Sequence, residues 1–183
     1  TSFTASAATD LVPGARLGRP LGDLVAYLAA SVRGRADAAL LVPFLAGGTA
    51  SGGIALDARA SGPPGALVGH VFLDGTGSRF SWPLAWPTEI KDPTLEADLA
   101  PGSAKLTRGD ALLNGGPLLL SGGWYDGVGT TLTATFADVR YRLAWDLAAI
   151  LSGELTLDLV GEERRVSGNV TLDRGLLDRD IDL

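Results

Sequence analysis

The feature that most constrains this chain is an eight-residue phrase that occurs four times. LSGELTLD at 151–158 is followed by VSGNVTLD at 166–173, and earlier copies are ASGGIALD at 50–57 and LVGHVFLD at 67–74. A looser fifth copy is LSGGWYDG at 120–127. The shared form is an apolar or small residue, then x-Gly-x-aliphatic-x-Leu-Asp. Repetition of this kind indicates one structural unit used several times, so it constrains the whole fold.

Within each copy, apolar and polar residues alternate. Gly153, Leu155 and Leu157 fall on one face of an extended strand, whereas Glu154 and Thr156 fall on the other. A period of two is typical of a strand with one dry face and one wet face. Because a slip of one residue would move every side chain to the wrong face, the pairing register is well specified.

The same alternation predicts strands elsewhere in the chain. It is clearest in VRYRLAWDL at 139–147, and it continues in TTLTATF at 130–136. Short connections between strands favour an antiparallel meander, because parallel pairing needs long crossovers. Further strands are predicted near 80–86, 94–99, 104–107 and 117–121, with turns at 74–78, 91–93, 100–102, 114–117 and 160–163.

One segment has a different period. In residues 20–34, PLGDLVAYLAASVRG, apolar residues including Leu24, Leu28 and Val32 recur at helical spacing, and Gly34 is placed to end a helix. The sequence therefore predicts one short helix near residues 20–33, packed on an end or edge of the sheet.

Composition excludes several classes of function. The net charge is −6 and the basic residues form no cluster, so we expect no nucleic-acid partner. The chain has no cysteine, which rules out disulfides and thiolate metal sites and fits an oxidising compartment such as the periplasm. The longest charge-free run, between Asp37 and Asp57, contains Pro43 and four glycines, so it does not predict a membrane span.

No catalytic constellation is evident. The only histidine, His70, lies on the wet face of a repeat, and no second histidine or cysteine accompanies it. The acidic run DRDID at 178–182 lacks the glycine and distal glutamate of an EF-hand loop, and it alternates like a strand with a charged outer row. We therefore expect no enzyme, no metal site and no cofactor.

The tryptophans allow two interpretations. Trp82, Trp86 and Trp124, if exposed, could stack on sugars; if buried, they would fill the apolar face. Trp82 and Trp86 share parity in a strand, which favours core or groove lining.

The repeats resemble those of a known family. VSGNVTLDRGLLDRDIDL at 166–183 and GGIALDARASGPPGALVGHVFLDG at 52–75 are similar to the paired strands of the TamB and AsmA-like family, the translocation and assembly module proteins. The resemblance covers about 50–75 and 115–183 and is faint over 1–45. Leu177 stands where the family pattern has an aromatic residue, and its proline is displaced to Pro63-Pro64.

The resemblance implies a specific architecture and role. Proteins of this family are anchored in the inner membrane and cross the periplasm, and their sheet is folded lengthwise into a U with the apolar face inside. They are implicated in phospholipid transport and in outer-membrane protein assembly with a TamA-like partner. The chain, which starts at Thr1 and has no methionine, would be a single β-repeat segment, 1–183, of a longer protein.

On this interpretation the aliphatic face of the repeats holds phospholipid acyl chains. The same alternation would also arise in a closed sandwich, which leaves a structural or adhesive β-repeat module and a sugar-binding sandwich as alternatives. The residues predicted to line the lipid groove are Ile54, Leu56, Val71, Leu73, Val139, Tyr141, Leu143, Trp145, Leu147, Leu155, Leu157, Leu159, Val170, Leu172 and Ile181.

Overall fold

The computed structural model describes residues 1–11, 25–83, 87–144 and 147–177. Within these ranges twelve strands belong to one sheet, and the single helix is a short 3-10 helix, Ala38–Phe44. The strands are β1 Ser2–Leu11, β2 Val25–Asp37, β3 Thr49–Ser51, β4 Gly53–Gly62, β5 Val68–Asp74, β6 Arg79–Trp82, β7 Thr88–Ala100, β8 Ser103–Leu113, β9 Gly116–Tyr125, β10 Gly129–Ala144, β11 Leu147–Val160 and β12 Glu163–Leu177.

The strands form an antiparallel meander. Ten of them follow the order β1-β2-β4-β5-β7-β8-β9-β10-β11-β12, and each pairs antiparallel with its neighbour. The short strands β3 and β6 form a side branch, because β6 pairs with the first part of β7, ahead of the part that pairs with β5. The predicted all-β meander is confirmed.

The pairing registers place apolar residues of each strand opposite apolar or small residues of the next strand. Residues directly opposite each other in a sheet share a face, so the registers can be followed across the whole molecule. One row crosses all ten strands of the main path, and we call it the apolar row. In sheet order it consists of Ala5, Val32, Ala58, Val71, Ala97, Leu106, Gly122, Leu132, Leu157 and Val166.

β-bulges keep apolar residues on this face where the sequence changes parity. Phe136 and Val139 are three positions apart, yet both face the same way because the register shifts between them. Asp138, in the bulge, has φ 52° and donates its N–H to Ser152 Oγ at 3.2 Å. Ser152 in turn donates to Asp173 Oδ2 at 2.5 Å, beside the bulge of β12. The Ser152 hydroxyl therefore connects the bulge of β10 to the bulge of β12.

The predicted helix at 20–33 is wrong over the part that the structure describes. Residues 25–33 belong to β2, which is hydrogen-bonded to β1 on one side and to β4 on the other, and residues 20–24 lie outside the described ranges. Leu28 and Val32 are four residues apart, a spacing that suits one turn of a helix and also two steps of a strand. Pairing on both sides decides the strand.

The short helix follows directly after β2. The side chain of Asp37 caps its first turn by accepting the N–H of Ala39 at 2.9 Å. Ala38 is fully buried against the sheet, whereas Phe44 is largely exposed.

Two other predicted boundaries differ from the structure. The segment 139–147 is not one strand, because β10 ends at Ala144 and Leu147 begins β11, where these two residues are paired. The predicted turn at 91–93 lies inside β7, where Asp92 adopts φ 51° and the register shifts. The side chain of Asp92 accepts the N–H of Gly77 at 2.7 Å, and this hydrogen bond links the bulge to the predicted turn at 74–78.

The glycine of the repeat allows close backbone approach. Gly168 has φ 142°, and a Cβ built on it would collide with the carbonyl oxygen of Glu154 on β11. A Cβ on Gly153 would likewise meet the carbonyl oxygen of Asn169 on β12. Glycine kinks of this kind help a sheet to curl, so the repeat combines aliphatic residues with bending points.

We expect Gly168→Ala to destabilise the fold by about 1–3 kcal/mol, because alanine at this φ is strained and its Cβ displaces the neighbouring strand. Gly175→Ala on the same strand is the matched control, since a Cβ there meets nothing within 4 Å. Urea unfolding of both variants measures the difference. Equal stability of the two variants would contradict the role assigned to the repeat glycine.

Candidate functional site

The apolar face is the largest coherent feature of the molecule, and it is the inner face of a curled sheet. Side chains on this face crowd together: Val139 is fully buried, and Leu118 and Phe136 are nearly so. On the opposite, polar face of the same strands, Arg140 and Arg142 are exposed. All strands of the described ranges belong to one sheet, so no second sheet covers the apolar side there.

Two clusters of buried residues lie on this face. The first consists of Ala111, Leu118, Phe136 and Val139 on β8, β9 and β10. The second joins the sheet to the helix and the side branch through Ala38, Ile54 and Phe80. Ile90 packs against both clusters and connects them. Together they hold the curvature, and the apolar face continues beyond them on both sides.

Exposure rises towards the β12 edge. Leu155 is 36% exposed, Val170 52%, Leu172 62% and Val166 67%, although all four have the parity of the apolar face. Exposed aliphatic residues that are contiguous commonly mark a binding surface. This end of the face is therefore accessible to a ligand.

The predicted groove residues that the structure describes lie on the apolar face, in different environments. Ile54 and Val139 are buried and belong to the clusters. Leu147, Leu155, Val170 and Leu172 are exposed. The side chains of Leu143, Trp145 and Ile181 lie outside the described part. The half-buried members are Leu56, Val71, Leu73, Tyr141, Leu157 and Leu159.

The polar face carries rows of charged side chains. His70 lies there as predicted, with Nδ1 2.9 Å from Asp98 Oδ1 and Nε2 3.3 Å from Glu96 Oε1. Asp57 ends the repeat phrase but lies inside β4, where it pairs with Arg33 at 2.5 Å and with Arg59 at 3.1 Å. Hydrogen bonds from Arg59 and Arg33 lower the pKa of the Asp57 carboxyl below its usual value. The Arg33–Asp57 pair and the His70 contacts join neighbouring strands from the wet side.

The depressions in the surface lie on both faces of the sheet. One, of about 680 Å³, is lined chiefly by alanines and by polar-face side chains that include Ser31, Arg59 and His70. A smaller one, of about 140 Å³, lies on the apolar face and is lined by Val32, Val71 and neighbouring residues. The apolar face is thus an extended surface, and a ligand would lie along it instead of entering a closed cavity.

The tryptophans occupy separate places. Trp82 is half-buried in the second cluster and donates Nε1–H to the carbonyl of Leu45 at 2.8 Å. Trp124 is on the apolar face and 45% exposed. Trp86 lies outside the described residues. Trp82 therefore lines the apolar face, as predicted, and its indole N–H is occupied by the chain itself.

In the part of the chain that the structure describes, no three His, Cys, Asp or Glu side chains are grouped to hold a metal ion. None of the helices in that part is long and apolar enough to cross a membrane.

Comparison with known proteins found no family model, no curated protein and no solved structure that matches the chain. The likeness to the TamB and AsmA-like family therefore rests on the motifs in the sequence.

The Asp57 ion pairs predict a pH dependence. Because the pKa of Asp57 is lowered in the folded state, its contribution to stability is complete above the ordinary value of 3.8 and is lost as pH falls through the lowered value. Asp57→Asn removes this contribution. We therefore expect the wild type to exceed the variant in unfolding free energy near neutral pH and the difference to shrink in acid. Urea unfolding at several pH values tests this, and a difference that does not change with pH would contradict it.

Proposed function

We propose that this chain is a segment of a TamB-like periplasmic bridge that binds phospholipid acyl chains along its apolar face and conducts them between the inner and outer membranes. The observation that carries the proposal is the apolar row, which crosses ten paired strands without a polar residue. At about 4.8 Å per strand the row is roughly 43 Å long in the hydrogen-bonding direction. From the resemblance of the repeat motifs, we also propose that the longer protein assists the assembly of outer-membrane proteins.

The chemistry of the row suits acyl chains. Its aliphatic side chains and one glycine offer dispersion contact without a hydrogen-bonding group. Each methylene that leaves water for such a surface contributes about 0.8 kcal/mol. Because Leu132, Leu157 and Val166 are chemically alike, a chain that slides from one to the next exchanges equal contacts. A surface of this type favours movement along its length over a fixed position.

The difference between the two faces supports the same conclusion. The two clusters withdraw part of the apolar face from water. The polar face carries the ion pairs of Asp57 and the carboxylate contacts of His70, so it remains in water. The alternative of sugar stacking has less support, because the indole N–H of Trp82 already donates to Leu45.

Charge on the apolar face tests the proposal. We expect Leu157→Glu and Leu172→Glu each to reduce bound phospholipid about tenfold or more, since a carboxylate replaces an aliphatic side chain whose burial contributes about 1.5–3 kcal/mol. Thr171→Glu is the matched control, because Thr171 is the exposed neighbour of Leu172 with the opposite parity. Native mass spectrometry of detergent-free protein counts the bound lipid.

Circular dichroism and urea unfolding establish that each variant is folded before its lipid is counted. Folded Leu157→Glu and Leu172→Glu proteins that retain as much phospholipid as Thr171→Glu would overturn the proposal. Unfolding by Leu172→Glu would also count against it, since it would show that this exposed residue belongs to a packed core, as in a purely structural module.

A further inference from the structure

The turn between β8 and β9 consists of Asn114 and Gly115. Leu113 pairs with Gly116 across it, and the two turn residues have φ 45° and 88°. A two-residue hairpin turn with positive φ at both positions favours Asn-Gly, because these residues tolerate the left-handed region. Asn114 is half-buried, whereas Gly115 is exposed, and a Cβ built on Gly115 would meet nothing within 4 Å. Gly115 therefore lies open to water.

The side-chain amide of Asn114 binds the backbone at the start of β7. Its Oδ1 accepts the N–H of Glu89 at 2.6 Å, and its Nδ2 donates to the carbonyl oxygen of Pro87 at 3.0 Å. The backbone N–H of Asn114 also donates to the carbonyl oxygen of Glu89 at 2.8 Å. An amide carries an acceptor and a donor side by side, so it suits both backbone groups at once. We call these three hydrogen bonds the Asn114 clamp.

The clamp holds the segment that connects the two buried clusters. Ile90 follows Glu89 directly, lies opposite Leu113 and packs against both clusters. The side branch pairs with the same segment, since Trp82 lies opposite Thr88. Loss of the clamp would therefore loosen the start of β7 where the two clusters meet.

The same dipeptide is chemically reactive. The peptide nitrogen of Gly115 has no side chain beside it, so it can attack Cγ of Asn114. A C–N bond forms, the bond from Cγ to Nδ2 breaks, and ammonia leaves with the proton of the Gly115 N–H. Water then opens the resulting succinimide to aspartate or isoaspartate. The clamp opposes this reaction, because it fixes the rotation of the amide and holds the leaving Nδ2 by a hydrogen bond.

We propose that Asn114 is a site of spontaneous deamidation that the folded protein suppresses, and that separation of the start of β7 from the β8–β9 turn sets its rate. Such local opening needs less free energy than complete unfolding. Conversion would remove the clamp. Aspartate has no N–H for the carbonyl oxygen of Pro87, and isoaspartate lengthens the backbone of the turn by one carbon.

The folded and unfolded wild-type chains provide the first test. Peptide mass spectrometry follows the loss of the amide during incubation at mildly alkaline pH, with and without urea. We expect deamidation of Asn114 to be about tenfold slower or more in the folded protein, because two side-chain hydrogen bonds have to break. Asn169, the other asparagine of the chain, is the internal reference, since the branched side chain of Val170 hinders the following nitrogen in both states. A folded rate that equals or exceeds the rate in urea, or an intact Asn114 in urea, overturns the proposal.

A substitution where the clusters meet tests the local opening. Ile90→Ala removes contacts to both clusters and leaves Asn114 and Gly115 unchanged. We expect deamidation in the folded protein to become about tenfold faster. Leu28→Ala is the matched control, because Leu28 is likewise half-buried but lies on β2, three strands from β7 in sheet order. Circular dichroism establishes that both variants are folded.

An unchanged rate in Ile90→Ala, or equal acceleration by Leu28→Ala, overturns the proposal, since the rate would then not depend on opening at the start of β7. The wild-type comparison stands without either variant. No measurement involves lipid, so the result is independent of the proposed function.

Discussion

The structure depends on strand registers that keep the apolar side chains of every strand on the same face of the sheet. In an antiparallel sheet each residue shares a face with its direct partner, so an apolar side is continuous only if every register is correct. Here the correct registers extend from Ala5 on β1 to Val166 on β12. A single slip anywhere along this path would expose the aliphatic residues of one strand and bring its charges inward.

Bulges and glycines adjust this rule locally. The bulge at Asp138 places Val139 on the apolar face, although strict alternation along β10 would put it on the polar face. Ser152 links this bulge to Asp173 on β12. Gly168 allows the β11 and β12 backbones to approach each other. These positions do not contribute apolar area. They determine how the strands that do contribute it are aligned and bent.

The repeats were sufficient to predict a large part of the fold. Alternation placed Leu73, Leu157 and Leu172 on one face and His70 on the other, which the registers confirm. The strand β2 was missed because Leu28 and Val32 satisfy helical and extended spacing equally. Asp57 ends its repeat phrase, and its ion pair with Arg33 became evident only from the pairing of β4 with β2. Pairing partners of this kind are set by the neighbouring strand.

By itself, the sequence determined which residues are apolar and in which phase they alternate, because a period of two is a property of the extended backbone. It also determined the absence of cysteine. Only the tertiary structure decided that β2 is a strand, where the bulges lie, and that within the described ranges the apolar side stays without a second sheet. These outcomes depend on hydrogen bonds and packing between segments far apart in the chain, which no local pattern encodes.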